Sequence, residues 1–307
     1  MPPVGEEVLD VTHVKRKYGE ELIKGALLLC ALLSVVTTFG IVYVLVSEGL
    51  LFFKHVSVWD FLTGTKWTPI IEPQSFGVLP LLAGTVQVAV GAGLIAIPLG
   101  LGCALFLSEY ASRGVRDVLK PILEILAGIP TVVYGYFAIT SVTPLLSKVF
   151  PQTEVFNAAS AAVVVGIMIL PMIASLCDDA LKSVPNGVRF AGYSLGATKF
   201  EVSTRVVVPG AASGIFASFV LALSRAIGET MAVTLAAGAN PTLTLNPLES
   251  IQTMTAFMVQ ISMGDVVADS LEYQTIFAVG LLLFVITLTM NLSAYWVVRR
   301  FRKYKSD

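Results

Sequence analysis

Residues 183–231 read SVPNGVRFAGYSLGATKFEVSTRVVVPGAASGIFASFVLALSRAIGETM, a polar stretch followed by a long apolar one that carries an arginine and a glutamate. In the polar half Ser183 is expected as an N-cap with Pro185 in the first turn, where a missing N–H is harmless. Val188, Ala191, Gly192 and Leu195 then share one helical face. Gly196 reads as the helix stop. Directly after it, Thr198-x-x-Glu201 has the form of a capping box, in which hydroxyl and carboxylate satisfy each other's orphan backbone donors, so a second short helix begins there. Pro209 is expected to end that helix and admit the chain to a membrane.

With 55% hydrophobic and 13% charged residues among 307, and a mean hydropathy of +0.81, the chain departs from soluble averages toward an integral membrane protein. A crossing needs about 20 mainly apolar residues. Six stretches qualify, 25–47, 79–107, 119–146, 158–177, 210–237 and 275–298, the second and third interrupted by Pro98 and Pro130. Gly91, Gly93, Gly100, Gly102 and the Gly210-x-x-x-Gly214 pair offer surfaces for close helix approach. No early apolar core with a small-residue cleavage site precedes the first span, which is therefore expected to direct insertion itself.

Several classes of chemistry are disfavoured. Cys30, Cys103 and Cys177 lack metal or redox spacing, and the two histidines, His13 and His55, lie outside the spans. No Walker A pattern occurs. The expectation is a protein without metal, cofactor, catalytic residues or nucleic-acid partner, and not an enzyme.

Charge distribution orients the chain. Sixteen of the twenty basic residues fall on one side of the six spans, in 1–24, 113–120, 182–205 and the tail 299–305, against Lys54, Lys66 and Lys148 on the other. By the positive-inside rule both termini and the loop 183–209 are cytoplasmic. The outer loops 48–78, 147–157 and 238–274 carry eight acidic residues, Asp269 among them, and the first and last are long enough to hold short helices. Such a mouth gives an anion no steering, so an anionic substrate would need a carrier protein.

Arg225 stands sixteen residues beyond Pro209, about 24 Å along a helix and thus near the bilayer middle. Glu229, one turn on, is expected to pair with it. A guanidinium is always charged, and its planar fork matches two oxygens of a tetrahedral oxyanion; phosphate and sulfate both fit. Thr131 and Thr230 are further candidates to line a path, whereas Glu109, Glu124, Asp178 and Asp179 read as solvated charges at span ends.

Residues 190–209 resemble the cytoplasmic "EAA" loop of ABC importer permeases, aligning through Ala191, Gly192, Gly196, Val206, Val208 and Pro209, with Phe190 where the family has glutamate. The runs SRAIGETMAV at 224–233, AGANP at 237–241, LAGIPTVVYG at 126–135 and FLSEYA at 106–111 are similar to the PstC family of phosphate importer permeases. The resemblance implies an all-α membrane fold of six transmembrane helices, the type I ABC importer permease fold. Its parts would be a cytoplasmic segment 1–24, a first helix and outer loop 25–78, a core 79–298 with the coupling loop 183–209, and a basic tail 299–307. It further implies a PstA-type sister subunit, a PstB-type ATPase dimer docking on Ala191, Gly192, Leu195 and Gly196, a PstS-type phosphate-binding protein, and a bacterial or archaeal inner-membrane location. Arg225, Glu229, Thr131 and Thr230 would form the substrate path. Two other readings stay open: a sulfate or molybdate permease, and a signalling or assembly protein whose Arg225 and Glu229 only fix packing. The helix, glycine, capping-box, proline order of the loop speaks against the second.

The orientation is testable with an impermeant thiol reagent on intact cells. A cysteine placed at Pro241 is expected to label strongly and one at Asn186 not at all; the opposite pattern overturns the assignment.

Overall fold

The computed structural model describes residues 7–267 and 270–303. Asp269, Lys305, the first six residues of the segment 1–24 and the end of the basic tail lie outside them. The helices are α1 (Glu7–Phe52), α2 (Val58–Thr63), α3 (Leu79–Leu105), α4 (Arg113–Gly128), α5 (Thr131–Phe137), α6 (Thr143–Val149), α7 (Ala158–Lys182), α8 (Asn186–Ser194), α9 (Lys199–Val202), α10 (Val208–Ile227), α11 (Met231–Ala237), α12 (Met254–Met263) and α13 (Leu271–Lys303). Among the described residues the only strands are β1 (Trp67–Thr68) and β2 (Ser75–Phe76), one short antiparallel ribbon, so the all-α expectation needs only that amendment.

Among the described residues, six helical runs are long and apolar enough to cross a membrane: Glu20–Phe52, Leu79–Tyr110, Thr131–Val149, Ala158–Lys182, Lys199–Ile227 and Leu271–Trp296. The number agrees with the sequence; the start of the third span and both ends of the fifth do not. The third span was expected from 119, but α4 is a separate amphipathic helix without a buried residue, and Ile129 and Pro130, both extended, break the chain before α5. The residue before a proline is pushed out of the helical region, which sets that break.

Pro209 does not end a helix, contrary to expectation. A proline lacks an N–H and its ring collides with the carbonyl four residues back. Here the chain widens to a π-helical turn over Ser203–Val207, in which Val208 N–H reaches Ser203 O, and α9, this turn and α10 form one rod. The same device recurs before Pro144, where Ala138–Val142 is π-helical and Thr143 N–H reaches Ala138 O.

The core is a pair, α3 against α7, on which α10 and α11 pack; α13 covers α10, and α1 lies outermost on α13. Small residues permit this approach. A Cβ added at Gly91 would stand 2.7 Å from the Ala162 Cβ, at Gly100 2.7 Å from Ile173 Cγ2, and at Gly214 2.6 Å from the Ala180 Cβ. Gly102, expected in the same role, faces open space. The loops 48–78 and 238–274 fold on each other as a cap around buried Trp67, whose ring meets Phe257 edge-on at 4.9 Å, while Trp59 is exposed. Short helices α2 and α12 stand in these loops as expected, the latter capped by the Thr253 side chain on Ala256 N–H.

The glycine contrast gives a direct test. Gly214→Ala is expected to cost about 1–3 kcal/mol by overpacking and to lower the unfolding midpoint in detergent. Gly102→Ala is expected to leave it unchanged or raise it, since alanine favours the helix.

Candidate functional site

Span five breaks where the sequence placed its chemistry. α10 stops at Ile227, and Gly228, Glu229 and Thr230 separate it from α11. Arg225 and Glu229 are four apart in sequence, but the helix that would put them on one face ends between them. No ion pair joins them among the described residues, which corrects the expected pairing. Instead Glu229 is buried, its Oε1 accepting from Ala232 N–H at 3.3 Å at the start of α11, while its carbonyl accepts from Thr255 Oγ1 at 2.7 Å. The Thr230 hydroxyl donates to Gly228 O at 3.2 Å. Two of the four sequence runs that resemble one family meet here: a Cβ at Gly135 of α5 would lie 3.1 Å from Ala232 O of α11. The break before α5 is closed by Tyr134, whose hydroxyl donates to Leu126 O at 2.8 Å.

Arg225 turns the other way. Ala222, Ala226 and Ile227 of α10 are buried while Arg225 is exposed, and Ser224 Oγ donates to Asn291 Oδ1 of α13 at 3.1 Å, which fixes the helix rotation. The exposed guanidinium opens into a cavity of about 480 Å³ lined also by Lys120, Leu123, Glu124, Ile129, Met168, Met172 and Asp178. No carboxylate among the described residues lies within ion-pair distance of it. Thr131, half-buried at the start of α5, and Thr230 are not among the lining residues. The structure thus brings Arg225 together with Lys120, Glu124 and Asp178, and not with Glu229.

Asp178 was expected to be solvated and is instead fully buried. Arg116 Nη2 contacts its Oδ1 at 3.1 Å and Oδ2 at 2.9 Å, Lys120 Nζ stands 3.6 Å from Oδ2, and Lys182 closes on it from one turn along α7. The signal was present in the sequence: Asp178 falls in register with Ala174, Cys177 and Leu181 on the buried stripe of α7, whereas Asp179 does not. A carboxylate withdrawn from water needs such partners, since each unpaired buried ion costs several kcal/mol.

The segment 183–209 folds as two short helices about Gly196, whose φ of +82° is the left-handed conformation expected of a helix stop. The capping box of Thr198 and Glu201 is complete. Ser183 does not cap α8; it closes α7, and Pro185 is the N-cap of α8. Gly192 admits Val202 of α9 closely, while Val188, Phe190, Ala191 and Leu195 are exposed, Leu195 just past the helix end. Arg189 anchors this unit. Its Nη2 contacts Glu109 Oε1 at 3.0 Å and Leu181 O at 2.8 Å, and its Nη1 reaches Val184 O. Glu109, expected in water, is the buried partner in that pair, its side chain 6% exposed.

Residues 96–303 match the family described as binding-protein-dependent transport system inner membrane component. The phosphate transport system permease protein PstC of Mesorhizobium japonicum is 36% identical over 264 residues, 78% of this chain and 79% of that protein. The chain belongs to this family and is of the PstC type. The probable ABC transporter permease protein YqgH of Bacillus subtilis is 34% identical over 260 residues, 84% of each chain. Among solved structures, a bacterial alginate ABC transporter superposes with a TM-score of 0.64 at 17% identity over 92% of this chain and 97% of that one, and the inward-facing MetNI methionine transporter with 0.55 at 18%, over 75% and 99%. At these identities they establish the fold alone: a type I ABC importer permease. This PstC-type chain is a multi-pass inner-membrane permease subunit and not an enzyme; it works with a separate ATPase and a substrate-binding protein.

The Asp178 cluster carries a stability prediction. Asp178→Ala leaves three cations facing each other over an empty carboxylate site, and is expected to cost about 3–5 kcal/mol, read as a lowered denaturation midpoint of the detergent-purified protein. Asp179→Ala, at an exposed position, should leave the midpoint where it is.

Proposed function

We propose that this chain, with a homologous PstA-type subunit, forms the path by which inorganic phosphate crosses the membrane in an ATP-driven importer. The observation that carries the reading is Arg225: a guanidinium on a membrane helix, without a carboxylate partner among the described residues, open to a cavity beside a helix break. A charge kept in a membrane span at such cost marks a path more often than a packing contact, and its fork suits a tetrahedral oxyanion. The PstC protein named above, at 36% identity, favours phosphate as that oxyanion.

In this reading the end bearing α8 and the basic loops faces the cytoplasm, following the charge distribution. A PstB-type ATPase dimer docks on α8 and the Gly196 turn, through Ala191, Gly192, Leu195 and Gly196. The loops around α2 and α12 receive a PstS-type phosphate-binding protein. Their acidity suits delivery by a carrier: Glu249 is held below the usual carboxylate range by hydrogen bonds from the side chains of Thr244 and Asn246, so it stays charged. The core 79–298 does the transport, between the segment 1–24, the first helix with its outer loop 25–78, and the tail 299–307. Closure of the ATPase dimer would move α8 and, through Arg189, α3 and α7, switching the bundle between outward-open and inward-open packings.

Glu229 acts here as a positioning residue, holding the α10–α11 break rather than competing with phosphate for Arg225. Thr131 and Thr230 are assigned to the path at the starts of α5 and α11. In proteoliposomes holding the complete importer, Arg225→Ala is expected to abolish phosphate uptake with the complex still assembled. Arg225→Lys should recover little, because a point ammonium lacks the fork. Glu229→Gln should be milder, since an amide oxygen still accepts from Ala232 N–H. Near-normal uptake by Arg225→Met would overturn the assignment.

A further inference from the structure

The cavity that begins at Arg225 ends at a second cation that the path has not yet used. The lining follows α7 from Met168 and Met172 to Asp178 in its last turns, so the cavity runs along that helix toward the α8 end. Lys120 of α4 lines that end. It is also the loosest of the three cations around Asp178, at 3.6 Å against 2.9 Å for Arg116 and a closer contact for Lys182, and its side chain is 39% exposed. Glu124, one turn further along α4, is the other acidic group of the lining, and no ion pair between it and Lys120 occurs among the described residues. Of the three cations around Asp178, Lys120 is the one that also lines the cavity.

We propose that Lys120 is a second binding station for the tetrahedral oxyanion, reached after Arg225 and before exit at the α8 end. This rests on the phosphate-path reading of Arg225. An anion released from a guanidinium in a mostly apolar cavity would otherwise cross lining formed by Leu123, Met168 and Met172 without a counter-charge. Lys120 supplies one, as a single flexible ammonium. Asp178 sets its strength. With the anion bound, Lys120 leaves a carboxylate that Arg116 and Lys182 still satisfy; with the anion gone, Lys120 returns to it. The station is weak because the resident carboxylate competes, and a weak station near an exit lets substrate go.

The test uses the complete importer in proteoliposomes, with ATP and phosphate-loaded binding protein. Lys120→Met is expected to lower the Vmax of phosphate uptake about tenfold, the loss of one hydrogen bond to a charged group, with an unchanged KM and thermal midpoint. Lys120→Arg should restore at least half of it. Lys120→Cys, equally slow, should regain uptake when treated with an aminoethyl methanethiosulfonate and not with the neutral hydroxyethyl reagent of similar size, with the unsubstituted protein treated in parallel. Wild-type Vmax in Lys120→Met, or equal responses of Lys120→Cys to both reagents, would overturn the station. Arg225→Ala run alongside separates the two failures: if it transports normally the phosphate path itself is wrong, and if it is inactive while Lys120→Met is normal, only the second station falls.

Discussion

In hydrocarbon a backbone N–H or C=O has no water to bond, so every departure from regular helix must find a partner inside the protein or open to a polar cavity. This constraint accounts for where the chain is irregular. Of three π-helical turns among the described residues, Phe106–Tyr110, Ala138–Val142 and Ser203–Val207, the last two directly precede Thr143-Pro144 and Val208-Pro209 and keep the hydrogen-bond ladder running past residues that cannot donate. The break before α5 is closed by the Tyr134 hydroxyl on Leu126 O. The break after α10 is closed by the side chain and carbonyl of Glu229, bonded to Ala232 and Thr255. The second of these breaks lies three residues past Arg225, so the site lies where the fold has already given up regularity.

Much of this was legible in the sequence because it rests on local rules. The number of spans follows from hydropathy, the Gly196 turn and the capping box of Thr198 and Glu201 from backbone preferences, and the short helices of the outer loops from the loop lengths. What failed depended on non-local partners. Pro209 reads as a stop by propensity, but a widened turn rescues the helix, and the sequence holds no mark of a π turn apart from the proline itself. Arg225 and Glu229 pair only if the helix is continuous, and Gly228 between them was the available warning. Asp178 and Glu109 sit near span ends, where water is the default, yet each is enclosed by cations from segments far away in sequence, Arg116 and Lys120 for one and Arg189 for the other. A charge on an otherwise apolar helical stripe was the clue for Asp178 and outweighs nearness to the membrane edge.

The two ion-paired buried carboxylates serve different joints. Asp178 ties α4, which buries no residue of its own, to the strongly buried α7; without those ion pairs only a shallow apolar contact would hold α4 beside the cavity. Glu109 ties the end of α3 to α8 through Arg189. Buried pairs of this kind add little net stability compared with apolar packing, so their effect is geometric: they decide which elements move together.

Arg189 has a mechanical consequence of its own. It grips the end of α3 through a carboxylate and the end of α7 through two carbonyls, and those two helices are locked by glycine contacts along much of their length. A push on α8 is therefore shared between two anchorage points on one stiff body. A rod held at one point bends near the grip, while a body held at two transmits torque, so a displacement of a few ångströms at α8 would arrive at the far end of the bundle as rotation rather than be absorbed as flexure on the way.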